Sequence, residues 1–65
     1  MFKFEIGDTL LDTYITLQRY YLVVGHNNST IEPTYELVCV NDKFGRTDVI
    51  ANSCNYVNKY FIKVS

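Results

Sequence analysis

Residues 2–6 of the chain, FKFEI, alternate strictly: Phe2, Phe4 and Ile6 fall on one side, Lys3 and Glu5 on the other. That period of two predicts a half-buried strand. Gly7-Asp8 follows at once. Glycine reaches backbone angles closed to other residues, and an aspartate can bond the amides that follow it, so the pair predicts a turn that returns Leu10 or Leu11 to the core. The next stretch, TLLDTYITLQ, carries a cap-like Thr9 and an early Asp12, but β-branched Thr13, Ile15 and Thr16 favour extended backbone. It reads as a long, partly strand-like loop. RYYLVVGH is the strongest strand signal: Arg19, Tyr21 and Val23 share one face, Tyr20, Leu22 and Val24 the other. Both faces are largely apolar, which predicts a central or doubly covered strand.

NNSTIEP then reads as a polar loop ending at Pro33, which bars helix. TYELVCVN resumes alternation, with Tyr35, Leu37 and Cys39 opposed to Glu36, Val38 and Val40. NDKFGR suits a hairpin, with Asp42 and Lys43 in the turn and Gly45 at the left-handed position that closes it. TDVIA is a short strand, NSCNYVNKY one helical turn capped by Asn52 or Ser53, and FIKV a last strand. Pairing of the last strand with the first would remove two sheet edges. Five short strands with tight turns predict an all-β chain folded as a small, strongly bent barrel, with Phe4, Ile6, Leu22, Leu37, Val49, Val57 and Phe61 in its core.

In FEIGD, YYLVV, YELV, the DKFGR turn, DVI and the closing VNKYFIKV, the chain resembles the small SH3-like barrel proteins of phages and prophages. The resemblance runs over most of the chain and implies a five-stranded SH3-like barrel. Gly7-Asp8 matches the family's turn before a loop of variable length, and Asn55 to Lys59 match the helical turn before the last strand. The family's functions are diverse, so it carries no catalytic residue over. The acidic cluster and Trp of eukaryotic SH3 domains that bind Pro-rich peptides have no counterpart in TLLDTYITLQRYY.

Composition narrows the function. Sixty-five residues, 48% hydrophobic and 15% aromatic, make one domain, 1–65, with a packed core. A stability of roughly 3–10 kcal/mol is expected at this size, leaving little for a strained active site. The net charge is -1, and the six Lys and Arg are scattered, so no basic stripe for phosphates is visible. No segment is apolar enough to span a membrane, and MFKFEIGD lacks the apolar core of a signal peptide, which places the chain in the cytoplasm as an expectation. There the tripeptides Asn27-Asn28-Ser29 and Asn28-Ser29-Thr30 mark a polar loop rather than glycosylation sites, and Cys39 and Cys54 are expected as thiols, Cys39 as a small buried hydrophobe. Abundant Ile, Asn, Lys, Tyr and Phe beside scarce Ala, Arg, Pro and Gly is the bias of AT-rich coding, pointing to a low-GC bacterium or its phage.

Chemistry-bearing constellations are sparse. His26, the single histidine, reads as a solvated residue at a strand end, without a nucleophile and an orienting partner. Cysteines fifteen positions apart make no metal-ligand spacing, and Asp8 and Asp12 read as turn formers. Isolated glycines make no phosphate cradle. The sequence therefore predicts no enzyme, no cofactor and no metal, but a binding module. The first reading is a phage- or prophage-encoded protein, acting in the host cytoplasm, that binds and modulates a host or phage protein, an inhibitor of host machinery or defence among the roles. In a chain this small, strands apolar on both faces leave some of Tyr21, Val23, Val38 and Val40 at the surface. The alternative is a nucleic-acid-binding accessory that stacks bases on exposed aromatics beside cations. For either, the expected surface is a strip of Tyr20 or Tyr21, Tyr35, Phe44 and Arg46, with Phe44 at the hairpin tip.

Overall fold

A computed structural model describes residues 1–28 and 31–65, so part of the polar loop before Pro33, with Ser29 and Thr30 of the Asn-X-Ser/Thr tripeptides, lies outside the described residues. The first event along the chain is the turn at Glu5–Asp8. Gly7 takes a φ of 100°, the Asp8 amide donates to the Glu5 carbonyl at 3.0 Å, and the Glu5 amide donates to Asp8 Oδ2 at 2.9 Å. Glycine thus does what its freedom predicts, whereas Asp8 closes the turn by accepting from the preceding Glu5 amide and not, as expected, from the amides that follow it.

The residues before the turn are not a strand, which corrects the reading of FKFEI. The amides of Lys3 and Phe4 donate to the Tyr35 hydroxyl, at 2.7 and 2.9 Å, instead of to a neighbouring strand. Phe4 is buried as an anchor, whereas Ile6 falls in the turn and is 62% exposed, not core. The first strand, β1, is Thr9–Asp12, within the stretch expected as a loop. It is followed among the described residues by β2 (Tyr20–Asn27), β3 (Thr34–Cys39), β4 (Val49–Ser53), a helix α1 (Cys54–Tyr60) and β5 (Phe61–Lys63).

These form a five-stranded antiparallel sheet in the order β4-β3-β2-β1-β5. The doubly apolar β2 is central, as the sequence predicts. The last strand pairs with Thr9–Asp12 and not with residues 2–6, which corrects the expected partner and leaves two edges in place. The sheet is open: β4 and β5 stand at opposite edges and the sheet is not closed into a barrel. The β3–β4 hairpin closes on Gly45 at a φ of 69°, its amide donating to the Asp42 carbonyl at 3.0 Å. Ser53 caps α1 by accepting from the Tyr56 amide.

Residues directly opposite in an antiparallel ladder project to one face, and faces alternate along a strand. The inner face gathers Leu10, Val23, Tyr35, Leu37 and Phe61, which pack with Phe4 and with Cys54 and Val57 of α1 into the buried core. Val23, expected as a candidate for the surface, is therefore core, and Leu22, expected in the core, points to the other face and is only half-buried. Val49 is 58% exposed because β4 is an edge, a further correction to the expected core.

A β-bulge in β2 reverses this alternation locally. Val23 pairs with Leu37 and Gly25 with Glu36, so Val24 is the extra residue. A Cβ on Gly25 would meet the Glu36 carboxylate, the mobile end of a flexible side chain that would have to swing aside. Beyond the bulge, His26 pairs with Tyr35 and comes onto the inner side.

Candidate binding surface

The hairpin tip is built by one carboxylate. Asp42 Oδ2 accepts from the amides of Phe44 (3.1 Å) and Arg46 (2.9 Å) and from Arg46 Nε (3.2 Å), while Oδ1 accepts from Arg46 Nη2 at 3.1 Å. Those donors hold the Asp42 carboxyl down at about 2, and the same pairing raises the Arg46 guanidinium. The fixed loop presents Phe44 outward, 72% exposed, with the Arg46 guanidinium 5.2 Å and Lys43 Nζ 5.8 Å from its ring centre.

Beside the tip lies a cleft of about 230 Å³ lined by Arg19, Tyr21, Cys39, Asp42, Arg46, Asp48 and Ile50. Tyr21 and Cys39 are paired across β2 and β3, and the Tyr21 ring leans on Phe61 with centroids 5.6 Å apart. Burial pushes the Tyr21 phenol up, with smaller contributions from Cys39 and Asp12 that outweigh the lowering by Arg19. Arg19 also borders a second hollow with Leu17, Gln18, Asn41 and Lys43. Asn41 ties these parts together: Oδ1 accepts from the Tyr20 amide at 2.9 Å, and Nδ2 donates to the Gln18 carbonyl at 2.7 Å.

The expected strip is thus divided. Tyr21, Arg46 and Phe44 come together at the hairpin end of the sheet. Tyr20 does not join them, because it follows the opposite face, level with Leu11. Tyr35 is 0% exposed and is removed from the strip: its hydroxyl accepts from Lys3 and Phe4 and donates to Asn58 Oδ1 at 2.6 Å. Burial raises this phenol despite the lowering by the two amides it holds. Arg19, which with Lys43 and Arg46 is the cation set expected for the nucleic-acid alternative, lines the cleft, and so does Ile50, which no local pattern marks.

The outer face carries a second feature. Leu11 stands opposite both Tyr20 and Ile62, Leu22 opposite Val38, and Val38 opposite Val49. An apolar row therefore crosses the sheet from β5 to β4, while α1 and residues 1–4 pack on the other side. Leu11, Tyr20, Leu22 and Val38 are half-buried; Val49 and Ile62 are exposed. Nearby Val40 is also exposed, as the doubly apolar pattern predicts, and Val38 shares the row.

The remaining candidates have structural roles. His26, expected as a solvated strand-end residue, is indeed exposed near the end of β2; its ring also stacks on Phe2 at 4.1 Å and its Nε2 lies 2.8 Å from the Phe4 carbonyl oxygen. Asp8 accepts from the Glu5 amide, and Asp12 from the Tyr14 amide at 2.9 Å, so both act at turns. Cys39 and Cys54 are free thiols; Cys54 is the buried one and Cys39 is half-buried. Among the described residues, no group of three His, Cys, Asp or Glu side chains converges, and no helix is long and apolar enough to cross a membrane. Comparisons with family models, with curated proteins and with solved structures find no match for this chain.

Proposed function

We propose that the chain is a non-enzymatic binding module whose partner is a protein, engaged through the outer face of the sheet. The observation that carries this reading is the uncovered apolar row Ile62, Leu11, Tyr20, Leu22, Val38 and Val49. Apolar surface of that continuity is costly to leave in water and marks interaction sites. The resemblance in sequence to small phage and prophage barrels supports the narrower reading, a phage-borne protein that binds and modulates a host or phage protein in the host cytoplasm. The strand order, with first and last strands paired and a helix before the last, is compatible with that kinship.

The test is capture from a bacterial lysate with and without nuclease treatment, comparing the wild-type chain with a folded Val38→Lys/Ile62→Lys variant. A protein retained by the wild type and lost by the variant is the expected result, with retention surviving raised salt, because an apolar interface lacks the steep salt dependence of phosphate contacts. Recovery of nucleic acid alone, or binding abolished by modest salt, would replace this reading with the nucleic-acid accessory and move attention to Phe44, Lys43 and Arg46.

A further inference from the structure

The two edges of the sheet are unlike. Strand edges present unpaired backbone groups, and proteins guard them with charge, proline, bulges or brevity. The β5 edge is guarded: it has three residues, and Lys63, level with Leu10 on the inner side, pairs with Asp8 at 3.4 Å. The β4 edge is not. Val-Ile-Ala-Asn-Ser has neither charge nor proline, and its register with β3 runs through five consecutive pairs without a bulge. Outside that ladder, no hydrogen bond among the described residues reaches Val49, Ile50 or Ala51. Val49 is 58% and Ile50 42% exposed.

We propose that this edge pairs with the β4 edge of a second copy of the chain, antiparallel and centred on Ile50. An unpaired strand edge is recognised by another strand, whose amides and carbonyls complement its own. Identical strands related by a two-fold axis present the same residues to each other, so self-pairing succeeds only where those residues tolerate their own image. Here they do. Ile50 meets Ile50 on the inner side, and Val49 meets Ala51 twice on the outer side. Asp48 meets Asn52, whose Oδ1 already accepts from the Ser53 amide, so its side-chain nitrogen is the end that donates to the carboxylate. Centring on Ala51 would instead oppose Val49 with Ser53 and Ile50 with Asn52, apolar against polar.

The association is weak. A standard interface covers about 800 Å² per partner, about a fifth of the 4441 Å² this chain exposes, and five paired residues cover less. The inference does not rest on the outer-face reading, since it concerns the edge and its test needs no other protein.

Sedimentation equilibrium from about 10 µM to about 1 mM should show the mass rising from 7.6 kDa toward the dimer, with exchange of the β4 amides slowing as it does. Ile50→Lys and Ile50→Glu each put like charges at the axis and should weaken association at least about tenfold. An equimolar mixture of the two should recover it. If either variant fails to fold, a synthetic peptide of residues 47–53 replaces it as the probe and should dissociate the wild-type dimer. A wild-type chain monomeric throughout, a dimer indifferent to both charges, a mixture without rescue, or a dimer untouched by the peptide would each overturn the proposal.

Discussion

Tyr35 shows how one side chain can hold a segment that has no strand partner. Its ring fills the core while its hydroxyl takes two backbone amides and gives its proton to Asn58. Tyr35→Phe keeps the ring, leaves the Phe4 amide without its acceptor and the Lys3 amide with only its longer bond to Asn58 Oδ1 at 3.3 Å, so it should cost about 1–3 kcal/mol in chemical denaturation, with faster exchange at Phe4. Asp42 makes the complementary case at the surface. Its carboxyl titrates at about 2 in the folded hairpin against 3.8 ordinarily. A depressed carboxyl stabilises the ordered loop fully above its ordinary value and loses that contribution as pH falls toward the folded one. Amide shifts of Phe44 and Arg46 should therefore move together between pH 4 and 2, and Asp42→Asn should abolish that step. Phe44→Ala, by contrast, should leave stability within about 0.5 kcal/mol of wild type, since the ring is mostly in solvent. The turn chemistry of Gly7, Asp8, Asp42 and Gly45 was legible in the sequence because it depends on neighbours in the chain. The burial of Tyr35 was not, because the groups it serves lie more than thirty residues away.

At the scale of elements, α1 is short and depends on its ends. Ser53 accepts from the Tyr56 amide, Lys59 sits in the last turn, and the Phe61 amide closes the helix on the Val57 carbonyl. Ser53→Ala should cost about 1 kcal/mol, read as a lower melting temperature with the helix still formed in the folded fraction. The cap and the helical turn were legible, and so were the central β2 and β3; the partner of the last strand was not, since it is Thr9–Asp12 and not residues 2–6. What misled was alternation taken by itself. Residues 2–6 alternate perfectly, yet extended backbone becomes a strand only where another strand supplies its hydrogen bonds, and here the Tyr35 hydroxyl supplies two of them. Conversely β1 hides in Thr9–Asp12 because Leu10 and Leu11 are both apolar. One lies in the core and the other in the outer row, so the period of two is lost from view. The bulge at Val24 was hidden for a similar reason: RYYLVVGH reads as one unbroken strand, whereas Val24 is an extra residue that brings His26 level with Tyr35.

Across the whole molecule, one face of an open sheet carries the buried core, and the other carries a row that is half-buried at Leu11, Tyr20, Leu22 and Val38 and exposed at Val49 and Ile62. That asymmetry is why the candidate site was only partly legible. The sequence shows that β2 and β3 are apolar on both sides, but which side is inner depends on where α1 and residues 1–4 settle. Their settling divides Tyr21 and Tyr35 from Tyr20, and brings Ile62 and Leu11 into one row with Val38. The N-terminal segment is the least obvious part of this arrangement, since no ladder holds it before Gly7. Its anchors are the buried Phe4 ring, the amides on Tyr35, the His26 contact to the Phe4 carbonyl and the stacking of Phe2 on His26. Phe4 belongs to the same buried cluster as Val23, Leu37, Val57 and Phe61, so it cannot leave without opening the core those residues share. Phe4→Ala should then cost about 3–5 kcal/mol, a large part of the roughly 3–10 kcal/mol that a chain of this size commands. Because the cluster is shared, the loss should be global: the urea midpoint falls while the slope of free energy on urea stays that of wild type. A smaller loss, confined to exchange of residues 1–6 with the midpoint unchanged, would instead make the segment a flap over a core that is complete without it.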